Sequence, residues 1–508
     1  MPDETTPLLS SIDDTIESCM TGPRMTHLLP SLLVAVAWVF DAQQTFISVF
    51  TDVEPTWHCK NPDDTACASS SSPCNLDRSS WGWDAPIDSS VVSEWDLKCS
   101  APALISLPAS AYFMGCLIGG LLLSTLADSI LGRKRLLVIS CLAMSMTGIS
   151  AVLSPNIWIY ASMRFVCGCA RATVGTCAMV LCTEIVGKKW REVVSVFSFV
   201  CFTLGFLSLP LIAYLCRMMS WRFIYLWTSV PSLCYAILVH FFVQESPRWL
   251  LVRGRKDEAI QTLKRLAALS GNMVTSSFSK LQYFDEPSCE TGALSTMKML
   301  WDRKWATRRL TAIMTVGFGV GLVYYGMPLN VGNLGSNLYL SVTFNALAEF
   351  PSSLVTFLLV GKINRRSSLL ALTTISGIFS LCCIANNEII PAKVQMVLEV
   401  VSFFSTCTCF NIIMIYSIEL FPTCVRNSAL SLIRQALVLG GVLAPMLVVK
   451  GREKKFWSFG VFGLLICCCG LFTVCLPETR GRSICDTMEE EEYKEAESNQ
   501  SRNGPSRY

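Results

Sequence analysis

Six charged side chains fall within long apolar stretches: Asp41, Arg164, Arg171, Glu349, Glu399 and Arg434. A charge at mid-bilayer costs about 2.5–3.5 kcal/mol on insertion scales, so each requires a partner or a function. Internal ion pairs that hold helices together are the plain reading of each, and for Arg434 pairing and function divide evenly. Asp41 and Glu349 are acids that could face a cation. A quaternary ammonium has no N–H to donate; diffuse negative charge and aromatic faces must hold it, at ~0.5–2 kcal/mol per cation–π contact. Phe40, Phe202, Tyr324 and Tyr325 are the candidate faces. Arg171 adds a group of opposite sign, which would serve the carboxylate of a zwitterion. The expectation is that Asp41 or Glu349 faces an ammonium and Arg171 a carboxylate. Asp41, Glu349 or Glu399 could also carry a proton if burial raises its pKa. No nucleophile–base pair, zinc-type Cys/His spacing or Walker A loop occurs, so neither an enzyme nor a cofactor or metal centre is expected.

These residues must be positioned by membrane helices. The chain has 508 residues, 52% hydrophobic and 16% charged, with a mean hydropathy of +0.47. A soluble domain carries about 25% charged residues. The net charge of +3 gives no case for a nucleic-acid partner. The acidic, polar N-terminus reads as lacking a cleavable signal peptide, so the first span is expected to insert as an anchor. Twelve spans of sufficient length can be read, near 28–50, 103–126, 135–153, 156–186, 193–215, 223–243, 309–331, 335–360, 368–386, 392–417, 427–449 and 456–476. The expected class is an all-α membrane protein of twelve transmembrane helices in two six-helix halves. The expected divisions are an N-terminal tail (1–27), a first bundle (28–243), a linker (244–308), a second bundle (309–476) and a C-terminal tail (477–508).

The charged punctuation occurs twice. Glu419 follows Glu184 by 235 residues, Glu478 follows Glu245 by 233, and Arg366 follows Arg135 by 231. A period this long marks a duplicated bundle, and in membrane proteins duplicated bundles mean transport. Lys/Arg-rich loops place both termini on the cytosolic side, although the segment 450–455 disobeys. Asp128, Arg133, Glu184, Arg191, Glu245, Arg248, Glu419, Arg426 and Glu478 then lie on the cytosolic rim. They are expected to form a gate of ion pairs between halves, with Glu184 and Glu419 closing it. The non-cytosolic loop 51–100 contains Cys59, Cys67, Cys74 and Cys99, consistent with two disulfides of open connectivity. Segment 255–268 reads as an amphipathic helix, and 484–508 as disordered.

Several motifs resemble the major facilitator superfamily. They are Gly132–Arg135 after Asp128, Arg164-Phe-Val-Cys-Gly, Glu245-Ser-Pro-Arg-Trp and Pro477-Glu-Thr-Arg-Gly. The Cys loop after the first span, its closing Val92-Ser-Glu-Trp-Asp-Leu-Lys-Cys, Tyr324-Tyr-Gly and Glu419-Leu-Phe-Pro-Thr-Cys-Val-Arg-Asn resemble its organic cation/carnitine transporters, most of all the plant branch. The resemblance implies a carrier of carnitine-, choline- or polyamine-like solutes working by alternating access. It also implies that Arg164 is structural, that the first and seventh spans flank a central cavity, that Phe202 and Tyr324 are cavity aromatics, and that Glu349 matches an acidic position of cation carriers, so that Asp41 and Glu349 read as functional. Two features depart from the pattern: Asp128 and Gly132 are four residues apart rather than three, and Val438 stands where animal relatives often carry a charge.

Glu4, Leu8 and Leu9 fit an acidic dileucine motif read by sorting adaptors; in plant carriers such a tail resembles a vacuolar-membrane address, with the plasma membrane as the alternative. The expected partners are the bilayer, a small organic solute, protons and those adaptors, with the chain a monomer. A sugar porter and a non-transporting solute sensor are the competing readings.

Overall fold

The computed structural model describes residues 25–61, 67, 72–129, 131–270, 293–335, 337–359, 362–385, 390–480, 485 and 488–493. Among them, twelve long helical spans occur where the apolar runs predict them. They are α1 (Leu29–Thr51, broken at Val36 and Ile47), α2 (Pro102–Ser129), α3 (Arg133–Val152) and α4 (Ile157–Ile185). Next come α5 (Lys188–Leu215), α6 (Arg222–Phe242), α7 (Lys304–Asn330) and α8 (Leu338–Leu359). The last four are α9 (Arg365–Cys382), α10 (Ala392–Leu420), α11 (Thr423–Gly451) and α12 (Phe459–Leu471). Ten of these are long and apolar enough to cross a membrane unaided. The exceptions are α8, with buried Asn345, Glu349 and Ser352, and α9, which opens on Arg365-Arg366 and buries Thr373, Ser376 and Ser380.

The chain forms two compact units, 1–289 with 337–350 and 290–336 with 351–508. The expected division at the linker differs in one respect: the first part of α8, with Glu349, groups with the first unit.

Small residues let helices approach closely, as in membrane bundles generally. A Cβ on Gly168 of α4 would lie 2.0 Å from the Tyr112 carbonyl oxygen of α2, and one on Gly321 of α7 2.0 Å from that of Leu437 on α11. Any side chain at these positions would force the helices apart.

The Cys loop carries a two-stranded antiparallel hairpin, β1 (Trp57–Cys59) and β2 (Trp81–Trp83). Its disulfides are Cys59–Cys67 and Cys74–Cys99, which selects one of the three connectivities. The closing motif is a docking device: Glu94 accepts hydrogen bonds from Trp221 Nε1 (2.6 Å) and Arg222 Nη1 (2.5 Å) at the start of α6. Trp95 packs on Tyr160 and Trp221.

The amphipathic helix forms as Lys256–Ser270, burying Ala259, Leu263, Leu266 and Ala267. The C-terminal expectation needs correction. Residues 488–493 are helical, and their glutamates meet the base of α7. Arg303 pairs with Glu489 (3.1 Å) and Glu492, and Arg309 with Glu491 (2.7 Å). Trp305 Nε1 donates to Glu492 (3.1 Å), while Met488 is buried. Periodicity missed this helix because charge pairing carries most of its attachment. In the disobedient basic loop, Lys455 Nζ donates to Gln395 Oε1 at 2.9 Å, tying the turn before α12 to α10.

Candidate functional site

Arg171 ends the first segment of α4 (Ile157–Arg171), just before a break at Ala172-Thr173. The close α2–α4 crossing and this break set its height. Its Nε and Nη2 donate to Asp41 Oδ1 and Oδ2 of α1, each at 2.8 Å. The side chains are 14% and 2% exposed, so this is a bidentate pair largely out of water. The two residues expected to face opposite ends of a ligand therefore face each other.

An aromatic cluster begins on α1 one turn from Asp41. Trp38, one turn before Asp41, meets Phe202 edge-on at 6.0 Å, and Phe202 also meets Phe46 at 6.4 Å. Gly175 admits the Trp38 ring, since a Cβ there would approach it to 3.0 Å. The Trp38 indole N–H has no acceptor among the described residues. Sequence reasoning passed over Trp38, although its three-residue spacing from Asp41 on a helix was the available signal. Phe40 points elsewhere, packing on Tyr235 at 5.1 Å. Glu349 is 8% exposed in the same unit.

Arg164 has the structural role expected of it. It donates to the Gln44 carbonyl (3.3 Å) and Ser48 Oγ (3.2 Å), and its guanidinium lies 4.1 Å from the Tyr112 ring centre. In the second unit, Tyr324 stacks against Phe410 (4.8 Å) and Phe403 (5.8 Å) and meets Tyr325 edge-on. Phe403 and Phe410 carried no sequence signal beyond apolarity. Glu399 is fully buried there, and Arg434 is half-buried on α11.

The rim charges form the same device in each unit. In the first, Arg133 Nε lies 3.6 Å from Glu184 Oε2, and Glu245 accepts the Lys134 backbone N–H at 2.9 Å. In the second, Arg365 Nη2 lies 2.9 Å from Glu419 Oε1, and Glu478 accepts the N–H groups of Arg365 (2.9 Å) and Arg366 (3.2 Å). A distant carboxylate thus caps the first turn of α3 and of α9, where orphan N–H groups and the helix dipole favour negative charge. The structural equivalence joins Arg133 to Arg365 and Lys134 to Arg366, a one-residue correction to the register that matched Arg135 with Arg366. Gly132 is required at φ 81°, for a Cβ there would lie 2.6 Å from Glu245 Oε2.

The expected gate placed partners in opposite halves; these described partners of Glu184 and Glu419 belong to their own units. Arg426 caps the end of α10, its Nε donating to the carbonyls of Ile418 (3.0 Å) and Phe421 (3.3 Å). Arg248, in the short helix Pro247–Val252, is half-buried, and desolvation lowers its pKa. Arg191 lies in the first turn of α5. The Asp128 side chain and the Glu4–Leu9 motif lie outside the described residues.

Two units of membrane helices with a duplicated set of rim ion pairs have the architecture of a duplicated-bundle transporter. Residues 61–490 match the family model "Sugar (and other) transporter". Organic cation/carnitine transporter 3 of Arabidopsis thaliana is 52% identical over 97% of this chain and 98% of its own. Mouse solute carrier family 22 member 3 is 31% identical over 80% of this chain and 72% of its own. The solved inward-open xylose transporter XylE from E. coli shares the fold: TM-score 0.63 at 16% identity, covering 92% of this chain and 98% of that one. The chain belongs to the organic cation/carnitine transporters of the major facilitator superfamily.

Proposed function

We propose that this carrier moves a small zwitterion bearing a quaternary ammonium and a carboxylate, carnitine-like in chemistry, by alternating access. The observation that carries the reading is the bidentate Arg171–Asp41 pair. A plain cation that took Asp41 would leave Arg171 charged without its carboxylate, which is costly in a buried setting. A zwitterion exchanges one internal pair for two external ones: its ammonium takes Asp41 and its carboxylate takes Arg171. Charge balance is kept, and Trp38 and Phe202 offer ring faces to the ammonium. The relatives named for organic cations and carnitine support the substrate class.

The test is uptake of labelled carnitine, choline and a polyamine into proteoliposomes, with and without a pH gradient. A charged hydrogen-bonded contact contributes about 1.5–3 kcal/mol. Arg171→Gln should therefore lower carnitine uptake by about tenfold or more while choline uptake changes far less. Equal effects on both would refute the assignment. We also propose that transport is coupled to protons, which would make uptake depend on the pH gradient. The Arg133–Glu184 and Arg365–Glu419 latches are proposed to open and re-form as the carrier cycles. The N-terminal dileucine is proposed to direct the protein to the vacuolar membrane; a tagged Leu8→Ala/Leu9→Ala chain that still reached that membrane would exclude this.

A further inference from the structure

In the first unit, at its Lys/Arg-rich end, the amphipathic helix Lys256–Ser270 does not close fully against the bundle. It leaves a cavity of about 350 Å³ between itself, the start of α1 and the ends of α4 and α6. The inner wall is mostly apolar, formed by Pro30, Ile185 and Leu266 with the buried Thr262 beside them. The mouth is also apolar and faces outward: Phe242 is 68% exposed and Leu269 40%. One cation stands on the lining, Arg265, which is exposed and has no acidic partner among the described residues. It stands at the edge of a mixed charge cluster, in which Lys134 lies near Glu245 and also near Arg135 and Arg265.

An apolar slot with a greasy mouth and a basic edge matches an amphiphile of negative charge. Basic residues beside the bilayer attract anionic headgroups at about 1 kcal/mol each, which is about fivefold in affinity. We propose that this cavity is a binding site for an anionic phospholipid drawn from the leaflet at that end, with its phosphate at Arg265 and its glycerol and upper acyl segments against Ile185, Leu266 and Phe242. The site is placed to report on the carrier's state. Ile185 directly follows Glu184 and Gln244 directly precedes Glu245, so the cavity is lined by the chain neighbours of both rim glutamates of the unit. Bound lipid would steady the latch, and anionic lipid content would set the rate of cycling.

The full-length protein, purified with dioleoyl phosphatidylglycerol or dioleoyl phosphatidylcholine, should retain the anionic lipid preferentially in native mass spectrometry. Arg265→Gln should reduce that retention about fivefold, while Arg265→Lys should preserve it. Ala268→Phe, which fills the lining and keeps the charge, should reduce retention of either lipid. Uptake in vesicles should depend on the phosphatidylglycerol fraction for the unaltered chain and for Arg265→Lys, but not for Arg265→Gln. Retention unchanged in both Arg265→Gln and Ala268→Phe would overturn the proposal. Displacement of phosphatidylglycerol by millimolar inorganic phosphate would also overturn it, by assigning the site to a soluble anion.

Discussion

Arg171 donates two parallel hydrogen bonds to Asp41, so the most buried acid of α1 already has a cation before any solute arrives. The site is therefore one of exchange, in which a ligand must replace what it displaces.

The first prediction concerns stability. Removing one partner of a buried ion pair costs about 3–5 kcal/mol, whereas replacing both can be nearly neutral. Asp41→Asn should therefore lower the melting temperature in detergent more than Asp41→Asn combined with Arg171→Gln. If the double variant were the less stable, the pair would not be the energetic unit described here.

Trp38 should matter to binding more than to folding. It lies beside Phe202 one turn from Asp41, with an unclaimed indole N–H. Trp38→Ala should raise KM for a quaternary ammonium substrate by about 2- to 30-fold, the range of one cation–π contact. Trp38→Phe should restore part of the loss. An unchanged KM in Trp38→Ala would remove it from the site.

The latches predict a charge-swap signature. Glu419→Arg should impair uptake by placing like charges at Arg365, and adding Arg365→Glu should recover part of it. Glu478→Gln should loosen the first turn of α9, seen as faster amide exchange at Arg365 and Arg366, whose N–H groups it caps. Exchange as slow as in the unaltered chain would deny the capping role.

The C-terminal helix should be released by salt and by acid. Hydrogen bonding to Arg303 lowers the pKa of Glu492 below its ordinary value. Its attachment is thus complete above the ordinary glutamate range and fades as the pH falls through the lowered value, with no loss toward alkaline pH. A spin label at Tyr493→Cys, a position 73% exposed, should gain mobility in 1 M salt, at low pH and in Glu491→Gln/Glu492→Gln. A label equally mobile under all conditions would show that the helix is not held by these pairs.

Much of this protein was legible in the chain. Twelve apolar runs had to become helices, because a backbone in lipid must satisfy its own hydrogen bonds. The doubled glutamates and arginines marked a duplicated bundle before any coordinate was known. The acidic and basic residues of the spans were conspicuous because burial in lipid makes each of them expensive. What sequence could not supply was which charges meet. Asp41 and Arg171 are 130 residues apart, and only the packing of α1 against α4 brings them to 2.8 Å. The same limit explains the missed helix at 488–493, whose partners Arg303 and Arg309 lie more than 180 residues upstream. It also explains the latch glutamates, whose described partners proved to lie within their own units. Composition and spacing fix what a helix can bury; ion pairs depend on distances between helices, and those exist only once the chain has folded.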